Sequence, residues 1–331
     1  MTEDEFLPWE IERAAHALAL DVTAADVVWA FESAGIPCIV LKGPAIAHWL
    51  YPDDSGQRAY TDVDLLVDLA RFEVAEHVLE DRGFLRPVSA YRDHADAWSP
   101  ESAWERPGSP PTSVDLHRGF HGVGDWEAFW TTMDENTITL EVAGRSVRIP
   151  DAAGCALITA LHESAAARVE QSGIDLRRAL ARFDDDVWRE AAHRSEAFQA
   201  LPSLVLGLTL HEDGRPLVRR LGLAPAMPAD VAIRSLVVSG ADADRVERAW
   251  ALQHRLGAVT GWRARIRIVL DMVFPSAEYF RATRRCARRG RLGLFAARVA
   301  RPFALLTQTP KVLWLVLRGR RQARLNNRRA S

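Results

Sequence analysis

The stretch LKGPAIAHWLYPDDSGQRAYTDVDLLV, residues 41–67, contains two acids, Asp62 and Asp64, directly in front of an apolar run. Alternation along a β-strand places residues i and i+2 on the same side, so both carboxylates face the same way if this run is a strand. Two like charges so placed repel each other unless a cation lies between them. The spacing therefore predicts a strand that presents a pair of carboxylates to a cation.

The residues around this stretch predict alternating strands and helices. IPCIVLKG (36–43) is typical of a short buried strand, PAIAHWLY (44–51) of a helix with proline in its first turn, and ARFEVAEHVLEDRGF (70–84) of an amphipathic helix. Two further strand-like runs, at 90–99 and 111–120, are separated by a proline- and glycine-containing linker at 100–110. Residues 136–150 predict a hairpin that turns at Ala143-Gly144.

The character of the sequence changes at Asp151, after which the hydrophobic period is helical and strand signals nearly vanish. The fold class is therefore α+β, and we expect three parts. These are an α+β domain with an N-terminal helical segment (1–150), a helical domain (151–275) and a basic amphipathic helical tail (276–331).

Composition indicates a soluble globular protein, with 48% hydrophobic and 26% charged residues among 331. No run of eighteen apolar residues occurs, which predicts no transmembrane segment, and the acidic N-terminus lacks the order of a signal peptide. The three cysteines form no close pair, so neither a disulfide framework nor a zinc site is indicated. We expect a cytoplasmic, reduced protein.

The charge is unevenly distributed along the chain. Residues 281–331 contain fourteen arginines, one lysine and no acid, so the preceding residues carry a net charge of −17. Three interpretations of this tail are open. The tail could lie on an anionic membrane surface, which would place the protein at the inner face of the membrane. It could instead hold nucleic acid, or its apolar face could pack on the acidic part of the same chain.

The order of motifs resembles the DNA polymerase beta-type nucleotidyltransferase superfamily. The pattern LKG…Y…R…TDVDLLV…VDLH is similar to a branch of uncharacterised bacterial nucleotidyltransferases. The resemblance covers residues 35–120 well and continues more weakly through LITALHE, IDLRRAL and VFPSAEYF. It implies a nucleotidyltransferase-type mixed sheet with flanking helices, followed by a mainly helical C-terminal domain. It also implies transfer of an NMP group from an NTP to an acceptor oxygen, with release of pyrophosphate.

This reaction explains the need for the acids. Two metal ions about 3.5–4 Å apart stabilise the attacking and leaving oxygens in such transfers. Mg²⁺ prefers hard oxygen ligands, and Mn²⁺ accepts the same set. We therefore expect Asp62 and Asp64 to be catalytic and to hold the metal ions.

A third acid is expected on a neighbouring strand, where it could also orient or deprotonate the acceptor. Asp115 is the best candidate, because it lies between apolar residues in SVDLH and would be costly to bury without compensation. Asp96, on the preceding strand-like run, is its rival. The less suited loop acids are Asp53, Asp54 and Glu101.

The triphosphate would be held by Lys42, Gly43 and Arg58. The superfamily usually has a Gly-Ser or Gly-Gly pair where this chain has Lys42-Gly43. Gly43 still permits close approach of the backbone, and Lys42 could supply a point charge in place of the serine hydroxyl. Arg58 can donate two hydrogen bonds to the triphosphate. His117 shares the face of Asp115 and either contacts the nucleotide site or is structural. His162 and Glu163 either line the base side of the cleft or are packed residues of a helix.

Two functional classes follow from the sequence. The first is a Mg²⁺-dependent nucleotidyltransferase whose acceptor is a small molecule, a peptide, a protein or an RNA. The alternative is a catalytically inactive nucleotide-binding or scaffold protein of a biosynthetic assembly, attached to the membrane through its basic tail. A toxin- or antitoxin-like partner of a second protein is a third, weaker hypothesis.

Overall fold

The computed structural model describes residues 9–52, 58–87, 99–165, 170–237, 241–258 and 261–330. The chain divides into two compact units. Unit 1 comprises Met1–Arg86 and Pro100–Leu223, and unit 2 comprises Pro87–Ser99 and Ala224–Ser331.

The centre of unit 1 is a four-stranded mixed sheet in the order β1-β2-β4-β3. Its strands are β1 (Cys38–Val40), β2 (Val63–Val67), β3 (Glu101–Arg106) and β4 (Thr112–His117). Strands β2 and β4 are parallel, whereas the two outer pairs are antiparallel. The mixed α+β fold expected from the sequence is confirmed.

One expectation about the strands is wrong. The stretch 100–110, predicted to be a linker because of its prolines and glycine, contains β3, which pairs with β4 along its whole length. Hydrogen bonding to a neighbouring strand outweighs the local turn signals, since those residues lie only at its ends. Most of the strand expected at 90–99 falls at 88–98, outside the described residues.

Both faces of the sheet are covered, so every residue of β2 is buried. One face packs against α1 (Trp9–Ser33) and α3 (Phe72–Asp81), in a core that includes Phe31 and Leu65. The hairpin β5 (Thr137–Val142) and β6 (Arg145–Pro150) turns at Ala143-Gly144, as predicted.

The other face of the sheet belongs to a second core, in which Ile39 and Leu66 join side chains of the helices. These helices are α2 (Pro44–Leu50), α4 (Trp126–Glu135), α5 (Ala152–Ala165), α6 (Glu170–Arg182), α7 (Asp185–Ala197), α8 (Leu201–Leu210) and α9 (Gly214–Arg220). Helix α5 is central and contacts α6, α7 and α8. The expected boundary at residue 150 thus falls inside unit 1, while the division into three domains stays a prediction.

Unit 2 is helical in its described part. Its helices are α10 (Ala229–Arg234), α11 (Ala243–Ala258), α12 (Trp262–Val273), α13 (Ala277–Thr283) and α14 (Arg291–Ala330), with short 3₁₀ turns at 235–237 and 285–289. Helix α14 has 40 residues, includes Pro302 and Pro310, and packs on α10 and α11. Ile233, Trp250 and Leu315 lie in the core of this packing.

Within the described ranges, one helical segment is long and apolar enough to cross a membrane, namely Ala14–Ser33 of α1. Its buried side chains, which include Leu20, Val27 and Phe31, are part of the core over the sheet. A core helix meets the same criteria of length and composition, so this segment carries no membrane assignment.

Candidate active site

The register of the sheet brings the acidic residues of two strands together. Asp64 of β2 is paired with Asp115 of the parallel strand β4, so both side chains leave the same face. His117, two residues after Asp115 in β4, belongs to that face by alternation. Asp62 lies just before β2, and its carboxylate is close enough to Asp64 for the two charges to interact. Glu101 of β3 is paired with His117 and joins them.

Asp64 is the most enclosed of these acids, with 1% of its side chain exposed. Its Oδ1 lies 2.5 Å from Lys42 Nζ and 3.0 Å from His117 Nε2. Burial alone would raise the pKa of Asp64, but the Lys42 charge and the His117 hydrogen bond lower it well below its usual range. Asp64 is therefore ionised between two cationic partners.

His117 is buried between two carboxylates. Its Nδ1 lies 3.3 Å from Glu101 Oε2, opposite the contact of Nε2 with Asp64. Burial lowers the pKa of His117, but the hydrogen bond to Asp64 and the Glu101 charge outweigh that effect and raise it above its ordinary value. The His117 side chain of β4 thus contacts Asp64 of β2 and Glu101 of β3.

Glu101 was expected to be a loop acid, and the structure corrects this. It lies in β3 and also approaches His121, with 3.5 Å between Glu101 Oε1 and His121 Nε2. Although burial acts in the opposite direction, His121 and His117 lower the pKa of Glu101 to about 2. The signal missed in the sequence was alternation in ESAWER, where Glu101, Ala103 and Glu105 share one side.

At Asp62 and Asp115 the negatively charged form of the carboxyl group is disfavoured. Burial and the neighbouring Asp64 charge raise the pKa of Asp115 to about 7, and the same two causes raise the pKa of Asp62. An additional cation beside these carboxylates would relieve the repulsion. This part of the site has the hard oxygen donors that Mg²⁺ takes.

The carboxylates are not arranged as a finished metal centre. Among the described residues, no three or more His, Cys, Asp and Glu side chains are grouped so as to hold a metal ion. Asp64 instead contacts the ammonium group of Lys42. A metal ion at Asp64 Oδ1 would therefore compete with the Lys42 ammonium group.

Gly43, next to Lys42, adopts a backbone conformation that favours glycine, with φ of +54°. A Cβ atom at this position would lie 3.4 Å from the ring of Tyr60, which is tight but not a severe clash. The Gly43 carbonyl accepts a hydrogen bond from Arg58 Nη1 at 3.4 Å. The loop that carries Lys42 is thus held by residues just before β2.

Arg58 is buried and paired rather than exposed in a loop. Its Nε and Nη2 donate to Asp175 Oδ2 at 3.1 and 2.9 Å. Asp175 Oδ1 accepts further hydrogen bonds from Tyr51 at 2.7 Å and from Gln171 at 2.9 Å. The predicted contact of Arg58 with a triphosphate stays a prediction.

Asp175 was not singled out in the sequence, although IDLRRAL contains it. The available signal was an acid between two apolar residues of an amphipathic helix, a position that α6 buries. Its partner Arg58 is 117 residues away, so no local pattern could identify the pair.

His162 and Glu163, on α5, have different surroundings. Burial and the Lys42 charge lower the pKa of His162 to about 3, which keeps its imidazole neutral near the site. Glu163 accepts a hydrogen bond from Ser172 at 2.5 Å and links α5 to α6. Asp53, Asp54 and Asp96 lie outside the described residues.

The class of this protein follows from comparison of its sequence with known families. A family model described as uncharacterised nucleotidyltransferase matches residues 8–213, which is more than half of the chain and most of unit 1. The chain therefore belongs to this family and is a transferase that acts by nucleotidyl transfer. This class of reaction requires an NTP as a substrate.

Solved structures similar to the chain include the antibiotic-resistance factor ANT(2'')-Ia, at 14% identity and a TM-score of 0.36. That match covers 57% of this chain and 96% of the other. An antigenic nucleotidyltransferase-like protein from Paracoccidioides brasiliensis matches at 16% identity and a TM-score of 0.36, over 66% of this chain and 97% of the other. No curated protein sequence matches the chain.

Proposed function

We propose that the protein is a Mg²⁺-dependent nucleotidyltransferase that moves an NMP group from an NTP to an acceptor hydroxyl. The observation that carries this proposal is the register pair Asp64 and Asp115, with the Asp62 carboxylate just before β2 and in electrostatic contact with Asp64. Family membership supports nucleotidyl transfer, and the acidic face supplies the chemistry for the metal-dependent form of it.

Asp62, Asp64 and Asp115 are the proposed ligands of Mg²⁺ or Mn²⁺. Bound there, the metal would supply positive charge to the transferred phosphoryl group and to the leaving pyrophosphate. The repulsion that raises the pKa of Asp115 and Asp62 supports this assignment, since a cation beside them would remove it.

Lys42 is proposed to exchange partners when the nucleotide binds. In the free protein its ammonium group neutralises Asp64, at 2.5 Å. A polyphosphate near Gly43 offers Lys42 an alternative anion, which would release Asp64 for the metal. Arg58 would then act by holding the Gly43 carbonyl and through it the position of the loop.

Asp115 is the proposed proton acceptor in the transfer. The acceptor oxygen forms a bond to the α-phosphorus, the bond from that phosphorus to the β-phosphate oxygen breaks, and pyrophosphate leaves. The hydroxyl proton passes to the Asp115 carboxylate, which must be ionised. A cation beside Asp115 would favour its ionised form at neutral pH.

The first test is titration calorimetry of the full chain with each of the four common NTPs, with and without Mg²⁺, followed by measurement of pyrophosphate release with a panel of acceptors. Asp62→Asn should lose the metal-dependent part of NTP binding. Asp186→Asn, on the exposed surface of α7, is the matched control and should bind as wild type does. Unchanged metal-dependent binding by Asp62→Asn would overturn the metal assignment.

The same measurements separate the two functional classes. Metal-dependent binding with pyrophosphate release supports the enzyme, while binding without release across small-molecule, peptide, protein and RNA acceptors favours the nucleotide-binding scaffold. Location in the cytoplasm is part of the proposal. The described cysteines, Cys38, Cys155 and Cys286, are free thiols, as a reducing compartment would keep them.

A further inference from the structure

Unit 2 exposes an unusual amount of apolar surface. Most of the large apolar side chains that are exposed in the described part of the chain lie between residues 262 and 325. On α12 and just after it they are Trp262, Ile266, Val269, Leu270 and Phe274, and on α14 they are Leu292, Phe295, Val299, Phe303, Leu313, Trp314, Leu317 and Leu325. Contiguous exposed apolar surface of this kind marks an interaction site.

The exposed side chains of α14 follow the helical repeat. Leu292, Phe303, Trp314 and Leu325 are spaced eleven residues apart, and eleven residues make about three turns of an α-helix. Phe303 is 66% exposed and Trp314 is 56% exposed. We call this series, with Phe295, Val299, Leu313 and Leu317 beside it, the apolar stripe.

The apolar stripe is not the face that holds unit 2 together. Among the side chains of α14 whose burial the structure describes, the buried ones are Ala297, Leu315, Val316 and Ala323. Leu315 and Val316 pack in the core with α10 and α11. A helix that is apolar on two sides needs a partner on each. Unit 2 covers one side of α14 and leaves the side chains of the stripe exposed.

The surface around the apolar stripe is strongly basic. Helix α14 contains nine arginines and Lys311 and no acid. Arg298, Arg318, Arg320 and Arg324 are exposed along it. The partner of this surface must therefore combine negative charge with a region that accepts apolar side chains.

An anionic lipid bilayer has both properties, because acidic headgroups lie directly above the acyl chains. Nucleic acid fits less well, since single strands are held by stacking on aromatic rings and most side chains of the stripe are aliphatic. A second copy fits less well too, because a symmetric contact would bring two arginine-rich faces together.

We propose that unit 2 binds the surface of anionic membranes. The apolar stripe of α14 and the exposed face of α12 would enter the headgroup region, and the arginines of α14 would bind the acidic headgroups. The catalytic unit would then act at a membrane surface without crossing the bilayer. This proposal is independent of the metal assignment in unit 1, and its test does not use enzyme activity.

The test is flotation of the full chain with vesicles of phosphatidylcholine alone or with about one third phosphatidylglycerol. Binding should require the anionic lipid. The triple variant Phe295→Gln/Phe303→Gln/Leu317→Gln should bind at least ~10-fold more weakly because it loses apolar insertion. Glutamine keeps helix propensity, and circular dichroism checks that the variant is folded.

The matched control replaces three exposed apolar residues of unit 1, as Leu69→Gln/Val74→Gln/Leu85→Gln, and should bind like wild type. A second variant, Arg298→Gln/Arg318→Gln/Arg324→Gln, should lose the preference for anionic lipid. The proposal would be overturned if the wild type did not bind vesicles, or if the control variant of unit 1 lost as much vesicle binding as the variant of the stripe. Tight binding to an oligonucleotide without vesicle binding, or a concentration-dependent dimer that the stripe variant abolishes, would also overturn it.

Discussion

Replacement of Asp175 by asparagine removes the negative charge that Arg58 faces inside unit 1. Asp175 is 1% exposed and Arg58 is 4% exposed, so neither group can turn to solvent without opening the structure. The carboxylate accepts two hydrogen bonds from Arg58 and one each from Tyr51 and Gln171. The change keeps the shape of the side chain and removes its charge.

The expected cost follows from the buried guanidinium that is left behind. Breaking a buried ion pair by removing one partner costs about 3–5 kcal/mol, since the remaining charge is desolvated without compensation. For a unit of this size, each kcal/mol shifts the melting temperature by about 2–4 °C. Asp175→Asn should therefore lower the melting temperature of unit 1 by about 6–20 °C.

Scanning calorimetry of the full chain measures this change. The matched control is Asp186→Asn, which breaks an ion pair with Arg189 on the exposed surface of α7 and should cost about 0–1 kcal/mol. The double variant Arg58→Met/Asp175→Leu should recover much of the loss, because an apolar pair of similar volume leaves no buried charge.

The refuting result is a melting temperature for Asp175→Asn equal to that of the control. It would mean that the Arg58 charge is solvated or neutralised by another group. The proposal that Asp175 holds Arg58 in place beside the Gly43 carbonyl would then be wrong. A double variant less stable than either single variant would also contradict the reasoning, since it would show that packing rather than charge dominates.

Three further predictions concern the site. Lys42→Met should destabilise unit 1 by about 3–5 kcal/mol in urea unfolding, because it leaves the buried Asp64 with one cationic partner fewer. Asp115→Asn should be more stable than wild type above pH 7 by about 1 kcal/mol or more without metal. The pKa of Asp115 in the folded protein, about 7, exceeds its value in the unfolded chain, so the stability of the wild type falls as the pH rises between about 4 and 7. Urea unfolding at several pH values should show this fall for the wild type and not for Asp115→Asn. Gly43→Ala should cost about 1–2 kcal/mol, since φ is +54° there, and should weaken NTP binding in calorimetry.

Each of these has an outcome that contradicts it. Equal stability of Lys42→Met and wild type would show that Asp64 does not depend on the ammonium group. A pH profile unchanged in Asp115→Asn would assign the titration to another group. For the glycine, the matched control is Gly222→Ala, at φ of +66° with open space around it, which should cost similar stability and leave NTP binding unchanged.

Local sequence patterns were enough to predict the strands that carry Asp64 and Asp115. Period-two alternation in TDVDLLV and SVDLH predicts two strands, and the turn at Ala143-Gly144 predicts the hairpin, because these signals depend on residues that are near one another in the chain. The α+β class followed from their order. The prediction that Asp62 and Asp64 lie close together needed only their spacing in the sequence.

Which distant residues come into contact depends on strand pairing and on packing between elements. The parallel pairing of β2 with β4 sets Asp64 opposite Asp115, and the pairing of β3 with β4 brings Glu101 to His117. Hydrogen-bond register between strands joins residues far apart in the chain, so local periodicity carries no information about it. Burial of charge is decided in the same way, because it depends on every element packed around a residue, as the contact of Arg58 with Asp175 illustrates.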